Sequence, residues 1–327
     1  MPSHKAAPPP SGACYDPRMS NKPCALPRLL SIFFALSLLA GCAVVPGTLR
    51  DTGHPLAGRI WDVAGQRFID EGELLQRAVP AEVLLLGETH DNREHHRLQG
   101  WLLQRRLAAG ARPALLMEQF DTDQQAAIDT ARRGGSDLAP LMRGWDWSLY
   151  RPLVELANTA RLPLLAANLP RNATRPVVRE GYSSLPAGEV QRLAVELAWD
   201  EARQKYMSAL IEESHCGQIT PQLRDGLVRA QRLRDATLAD VALGKLDTGV
   251  VFILGRGHAR RDVAVPRYLE ARRPGTRVLS IGFVEVNAQR SLPTQYETEQ
   301  VGGVAPYDVI WFTARAERVD PCQAFGK

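Results

Sequence analysis

The 327-residue sequence has no apolar run long enough to cross a bilayer. Its most apolar stretch, Leu29 to Leu39, falls well short of the ~20 residues that a spanning helix needs. The chain also carries little net charge. Of the formal +4, most lies in residues 1–41, where Lys5, Arg18, Lys22 and Arg28 face only Asp16. The remainder is close to neutral, so nothing in the charge argues for nucleic acid. Internal repeats are absent beyond an alternation of strands and helices. There is no GxGxxG dinucleotide fingerprint, since Gly255-Arg256-Gly257 supplies only a turn that brings backbone amides near an anion. Cysteine is scarce at five residues, and Cys14 and Cys24 fall in the leading segment.

That leading segment reads as a targeting signal. Residues 7–10 are proline-rich, and Met19 is an alternative start. Lys22 and Arg28 make a basic region before the apolar Leu29–Leu39. Leu39-Ala40-Gly41-Cys42 resembles a bacterial lipobox, in which the peptide is cut before a cysteine that takes lipid. The alternative is an ordinary secretory signal in which Cys42 is incidental. Ala43 at the next position is similar to lipoproteins sorted to the outer membrane. The expected organisation is a signal over 1–41, a tether over 42–57 and an α/β domain over 58–327, held to the cell envelope through Cys42. In an oxidising compartment Cys216 and Cys322 are expected to pair. Two free thiols, or Cys216 as a ligand, are the alternatives.

The domain is organised around Val83-Leu84-Leu85-Leu86-Gly87-Glu88-Thr89-His90-Asp91. An all-apolar run bounded by turn residues predicts a strand buried on both faces, as in a parallel sheet. A helix follows, with Asp91 expected as its cap and Glu94 completing a capping box. The pattern returns at Ala114–Met117 before Glu118, at Pro163–Ala167 before Asn168, and at Val250–Leu254 before Gly255 and His258. Four parallel strands would deliver Glu88, His90, Glu118, Asn168 and His258 to one rim, where open α/β sheets bind ligands. Residues 58–63 and 67–69 alternate apolar and polar, which predicts an edge hairpin. The fold expected is a mostly parallel central sheet flanked by helices. Residues 171–246 lack a strand-like run and predict an all-helical cap between the third and fourth core strands. Within it, Val190 to Ala209 has the spacing of one long amphipathic helix. Thr220-Pro221 starts another, which Gly244 ends.

Glu88, His90, Glu118 and His258 are acid–base groups and oxygen or nitrogen ligands. Glu88, His90 and His258 are the set expected to hold a divalent metal. His95 and His96 are expected on the solvated face at the start of their helix, although His95 shares a face with Gln99 and Leu102. In the cap, Tyr206 and His215 are candidate iron ligands, and Arg171, Arg175 and Arg234 are candidate partners for carboxylates.

Gly87-Glu88-Thr89-His90-Asp91, Met117-Glu118-Gln119-Phe120, Ala167-Asn168-Leu169-Pro170-Arg171 and Gly255-Arg256-Gly257-His258 together resemble the haem-binding lipoproteins of the ChaN type. These belong to a wider group with the erythromycin esterases and the Tiki/TraB proteins. Ala230-Gln231-Arg232-Leu233-Arg234-Asp235 is similar to a cap-helix signature of the family, and the resemblance runs from about Gly58 to Thr313. It implies an α/β sheet with a helical cap and haem held between cap and rim. It also implies a homodimer whose two haems stack face to face, each iron bound by a tyrosine. Tyr206 is chosen on local chemistry and not aligned from the family.

Three readings follow. The first is a haem-binding envelope lipoprotein in iron or haem uptake, whose partners are haem, the membrane, a second copy and an outer-membrane haem or iron receptor. The second is a hydrolase using Glu88, His90, Glu118 and His258, with a divalent metal or with a histidine such as His90 activating water. The third is a ligand-free envelope scaffold.

Overall fold

The computed structural model describes residues 48–297 and 300–324. The signal segment, Cys42 and the first part of the tether lie outside the described residues. Part of the stretch expected as a tether belongs to the fold. Strand β1 (Leu49–Arg50) pairs antiparallel with β10 (Arg315–Ala316), and Leu56 is buried.

The expected hairpin forms from β2 (Ile60–Asp62) and β3 (Arg67–Ile69). Helix α1 (Glu71–Ala78) follows, its N-terminus closed by a capping box between Asp70 and Glu73. Then come β4 (Val83–Glu88), α2 (Arg93–Ala108), β5 (Ala114–Asp121), α3 (Gln125–Gly134), α4 (Trp147–Thr159) and β6 (Leu164–Asn168). Helices α5 (Arg171–Glu180), α6 (Glu189–Arg192), α7 (Glu201–Ser214) and α8 (Pro221–Leu243) make the helical insertion. The chain ends with β7 (Val250–Gly255), α9 (Val265–Arg272), β8 (Val278–Glu285), β9 (Val309–Thr313) and β10.

The main sheet has the order β3-β2-β9-β8-β4-β7-β5-β6. The six strands from β9 to β6 are parallel, and the β2–β3 hairpin adds the antiparallel edge. The chain runs outward from β4 to β5 and β6, and the insertion then returns it to β7, between β4 and β5. The carboxyl ends of β4, β7 and β5 therefore lie side by side, and these strands carry the rim residues.

Strand periodicity of two splits the core. Val83, Leu85, Ala114, Leu116, Phe252 and Leu254 pack on one face with α8 and α9. Leu84, Leu86, Leu115, Met117, Val251 and Ile253 pack on the other with α2 and α4. Helix α8 thus does two jobs. Leu233, Ala236, Leu238, Ala239 and Ala242 cover the sheet, and its first turns belong to the insertion.

Two local expectations are corrected. The cap of α2 is Asn92, whose side chain accepts from the Glu94 N–H. Asp91 instead forms a fork with Arg318, 227 residues away, at 2.6 and 2.9 Å. The long helix expected over 190–209 is broken into α6 and α7. Ala194 is left-handed at φ 56, and Asp200 caps a new helix by accepting from Arg203 N. The first break uses Ala194, whose apolar spacing still looks helical.

Gly87 is required by close packing. A Cβ there would lie 2.7 Å from Ala259 Cβ and 2.9 Å from the Arg256 backbone. Gly87→Ala is expected to cost about 1–3 kcal/mol, because backbone at the rim would have to move. A urea denaturation series checks this, and an unchanged midpoint would contradict it.

Candidate functional site

Period two also decides where the rim carboxylates point. Glu88 follows Leu84 and Leu86 and faces α2 and α4. Glu118 follows Ala114 and Leu116 and faces α8. The two expected partners lie on opposite faces of the sheet and build two different networks.

Glu88 is buried among donors. Oε1 accepts from Tyr150 Oη at 2.5 Å, His90 Nδ1 at 2.9 Å and Gln119 Nε2 at 3.2 Å. Oε2 accepts from Gln99 Nε2 at 2.6 Å, and His96 Nδ1 is 3.3 Å away. Burial and the Glu88 carboxylate push the Tyr150 phenol far above its usual range. His90 keeps 44% of its side chain exposed, whereas Glu88 keeps none. It packs edge-on against Trp145 at 4.7 Å. Burial opposes its protonation, but the bond to Glu88 and the field of Glu118 win, and its pKa is raised.

Glu118 belongs to a second chain of charges. Its Oε2 accepts from Gly255 N at 2.6 Å, and its Oε1 is 3.4 Å from His258 Nε2. His258 Nδ1 in turn meets Asp235 Oδ1, from α8, at 2.6 Å. Burial would lower the His258 pKa, but the carboxylates of Glu118 and Asp235 lift it to about 10. Burial would likewise raise Glu118, but the charge of His258, its bond, His90 and the Gly255 N–H hold it at about 2. His258 lies between two carboxylates, whose charges favour its protonated form. Gly255 allows His90 to approach, since a Cβ there would sit 2.9 Å from His90 Cε1.

The three residues expected to hold a metal are not brought together as one set. The oxygens of Glu88 meet protein donors, and His258 lies between Glu118 and Asp235 on the other face of the sheet. Among the described residues no group of three His, Cys, Asp or Glu side chains is placed to hold a metal ion.

His95 and His96 are buried, against expectation. His95 Nδ1 accepts from Thr89 N and Nε2 bonds Thr313 Oγ1, both at 2.8 Å, and burial drives its pKa well down. His96 Nε2 donates to the His90 carbonyl. Both histidines therefore fix the rim loop from beneath. Tyr150 and Asp235 are rim residues that sequence reasoning missed. A signal existed for Tyr150, which shares a helical face with Leu153, Val154 and Ala157. A hydroxyl on such a buried face needs a partner.

Two cavities adjoin this network. A polar crevice of about 840 Å³ is lined by Glu118, Gln119, Asp121, Trp145 and Asn168 among others. A second cavity, of about 530 Å³, lies between α5, α7 and α8. Arg171 and Arg234 line both. The second cavity has apolar walls from Val178, Ile211, Leu227 and Ala230, and four arginines: Arg171, Arg175, Arg179 and Arg234. None of its lining residues is acidic. Arg171, Arg175 and Arg179 recur at i, i+4 and i+8, a spacing that puts like charges on one face and is unfavourable without an anion. Arg234 Nε is buried with no hydrogen-bond partner among the described residues.

His215 also lines this cavity. Its Nδ1 is 2.7 Å from the Ile211 carbonyl, which can only accept, so Nδ1 donates. In the neutral ring that leaves the lone pair on Nε2. Tyr206 does not line the cavity. It is half-buried against Val263, Ala264 and Val301, with Arg260 4.5 Å over its ring. Nine residues are about two and a half helical turns, so Tyr206 and His215 leave α7 on opposite sides. Of the four residues expected to hold haem, Arg171, Arg234 and His215 share one cavity and Tyr206 does not.

The fold and site define an α/β protein with a helical insertion. It carries a buried carboxylate–histidine rim and, beside it, a cation-lined cavity with apolar walls. The chain belongs to the haem-binding uptake family of the Tiki superfamily, the ChaN proteins, whose family model matches residues 74–269. Among solved structures it is similar to ChaN of Campylobacter jejuni, described with cofacial haem binding. Identity is 18%, the match covers 77% of this chain and 95% of that one, and the TM-score is 0.62. A mutant erythromycin esterase in its open conformation is more distant, at 13% identity, 78% and 96% coverage and a TM-score of 0.42. No curated protein sequence matches the chain.

Proposed function

We propose that this chain binds haem in the arginine-lined cavity, as an envelope lipoprotein in haem or iron uptake. The observation that carries the reading is the lining itself: apolar walls, four arginines, one histidine and no acid. Haem, when bound, would supply an iron centre and two carboxylates. The residues fit such a ligand. Val178, Ile211, Leu227 and Ala230 offer apolar contact and keep water away. The arginines are placed for charge-assisted bonds to carboxylates. His215 lines the cavity with its Nδ1 held by the Ile211 carbonyl, and its Nε2 would be the nitrogen left to meet the iron. The relative from Campylobacter jejuni, titrated under the same conditions, is the comparison for spectra and stoichiometry.

The envelope part of the reading rests on Leu39-Ala40-Gly41-Cys42 and on the disulfide between Cys216 and Cys322, a bond suited to an oxidising compartment. Labelled palmitate should be incorporated by the wild type and not by Cys42→Ser. Labelling that persists in the variant would sink the lipoprotein assignment. The haem reading is tested by titrating ferric haem into the oxidised full chain carrying Cys42→Ser. Saturable binding is expected, and absorbance that only rises in proportion to added haem would refute it.

His90 favours a second reading, metal-free hydrolysis at the rim. The buried Glu88 carboxylate orients its ring, its Nε2 carries the lone pair in the neutral form, and the ring is partly exposed beside a crevice. That is the arrangement of a general base. A panel of ester and amide substrates should then show turnover that His90→Ala abolishes. No turnover above buffer by the wild type would dismiss it.

A further inference from the structure

The C-terminal tail bears on the cavity through its cysteine. His215 is the last residue of the α7 turn and the C-cap of that helix. The next residue, Cys216, is joined to Cys322, 106 residues later. Cys216 is left-handed, at φ 57, in the position after a helix where glycine is usual. A side chain makes that conformation costly, so something must hold it. Gly217 follows at φ 71, and its N–H returns to the Glu212 carbonyl at 2.9 Å. The whole reversal that sets His215 is therefore closed by a non-glycine residue under a covalent tie.

The other end of the tie is also fixed. Four residues before Cys322, Arg318 grips Glu285 and Asp91 at 2.6 Å each, and Asp91 neighbours His90. The segment from Arg318 to Cys322 thus runs from the rim loop to the last turn of α7. Both cysteines are only half-buried, so a small dithiol can reach them.

We propose that the Cys216–Cys322 disulfide is a redox control on the arginine cavity, one that holds His215 in its ligating position when oxidised and releases it when reduced. The proposal rests on the haem reading of that cavity. The step is thiol–disulfide exchange with a dithiol. Its first thiolate attacks one sulfur and breaks the Cys216–Cys322 bond. Its second thiol then resolves the mixed disulfide. The dithiol leaves as its own disulfide, two electrons pass to the protein, and two protons complete its thiols. Cys216 is then free to leave the left-handed region. The last turn of α7 loosens, and with it the bond from His215 Nδ1 to the Ile211 carbonyl. Losing the partner that orients a metal-binding histidine costs about 10–100-fold in affinity.

The test uses the full chain with Cys14, Cys24 and Cys42 replaced by serine, so that only this pair reacts. Three samples are titrated with ferric haem: the oxidised protein, the same protein reduced with dithiothreitol, blocked with iodoacetamide and freed of reductant, and a Cys216→Ser/Cys322→Ser variant. Hydrogen exchange over residues 211–217 is read on each without haem. Far-ultraviolet circular dichroism checks that each is folded. If the double variant does not fold, the reduced wild type carries the comparison. The expected result is affinity at least about tenfold weaker in the two unbridged forms, with faster exchange over 211–217. In a His215→Ala background the affinity should no longer depend on the bridge. Equal affinities with and without the bridge overturn the proposal and leave the haem reading intact. If no form binds haem, the haem reading fails, and exchange decides the control. Faster exchange on reduction supports it, and unchanged exchange overturns it.

Discussion

Asp235→Ala is expected to destabilise the protein by about 3–5 kcal/mol, because it strips one carboxylate from a buried, protonated histidine. The wild type should show the same ion cluster in its pH dependence. Folded His258 titrates at about 10, against an ordinary value of 6.5. The stability it contributes is complete below pH 6.5 and is lost as pH rises from there through 10. Folded Glu118 titrates at about 2, against an ordinary 4.5. Its contribution is complete above pH 4.5 and is lost as pH falls through 2. The contributions of His258 and Glu118 are therefore both complete between about pH 4.5 and 6.5, while Asp235, whose pKa burial raises, loses stability as pH climbs past the ordinary carboxylate range. Urea midpoints measured across pH 3–10 test both statements. Asp235→Ala should lower the midpoint everywhere on the plateau and shorten the alkaline decline. A wild type whose midpoint is flat from pH 6.5 to 10 would show that His258 is not the buried cation described.

Reversing charge at Arg175 and Arg179 is expected to weaken haem binding by about 100-fold or more, since each charge-assisted bond is worth about 1.5–3 kcal/mol and each 1.4 kcal/mol is tenfold. These two arginines line the apolar-walled cavity and not the rim crevice. Arg175→Glu/Arg179→Glu should accordingly leave the Glu88 and Glu118 networks untouched. Their integrity can be followed by the pH dependence of the urea midpoint. Unchanged affinity in this variant would mean that haem, if bound, sits elsewhere.

The strands and the rim were legible because both signals are local. A four-residue apolar run into Gly87-Glu88 can hardly be anything but a buried strand and the turn after it. What the rim residues do there was much less legible, because their partners are distant in sequence. Asp91 is adjacent to the true cap Asn92 and chemically equivalent to it. Only Arg318, far along the chain, decides between them. His95 and His96 lie on a helix start that looks solvated. They are buried because Thr89 N, Thr313 and the His90 carbonyl need partners. Asp235 lies in a helix of regular apolar spacing, and its role appears only when β7 brings His258 beside it. Tyr206 was an attractive iron ligand on chemistry alone, but the half-integer number of turns to His215 separates the two. The arginines of α5 were legible in part. Arg171 and Arg175 stood out, and Arg179 completes the same face.

The rim and the cavity meet at Arg171 and Arg234, which line both spaces. Each carboxylate of the rim network has at least one protein partner, although Asp235 Oδ2 is buried without one among the described residues. The cavity is the opposite case, with cations and no acid. That asymmetry is the reason to place an anionic ligand in the cavity and to treat the rim as an independent centre.

The most direct test is the absorption spectrum of ferric haem titrated into the oxidised full chain carrying Cys42→Ser, beside the same protein with His215→Ala. Saturable binding with the spectrum of an imidazole-ligated ferric haem, lost in His215→Ala while the protein stays folded, is the predicted result. No saturable binding, or a complex whose spectrum is the same with and without His215, would contradict it.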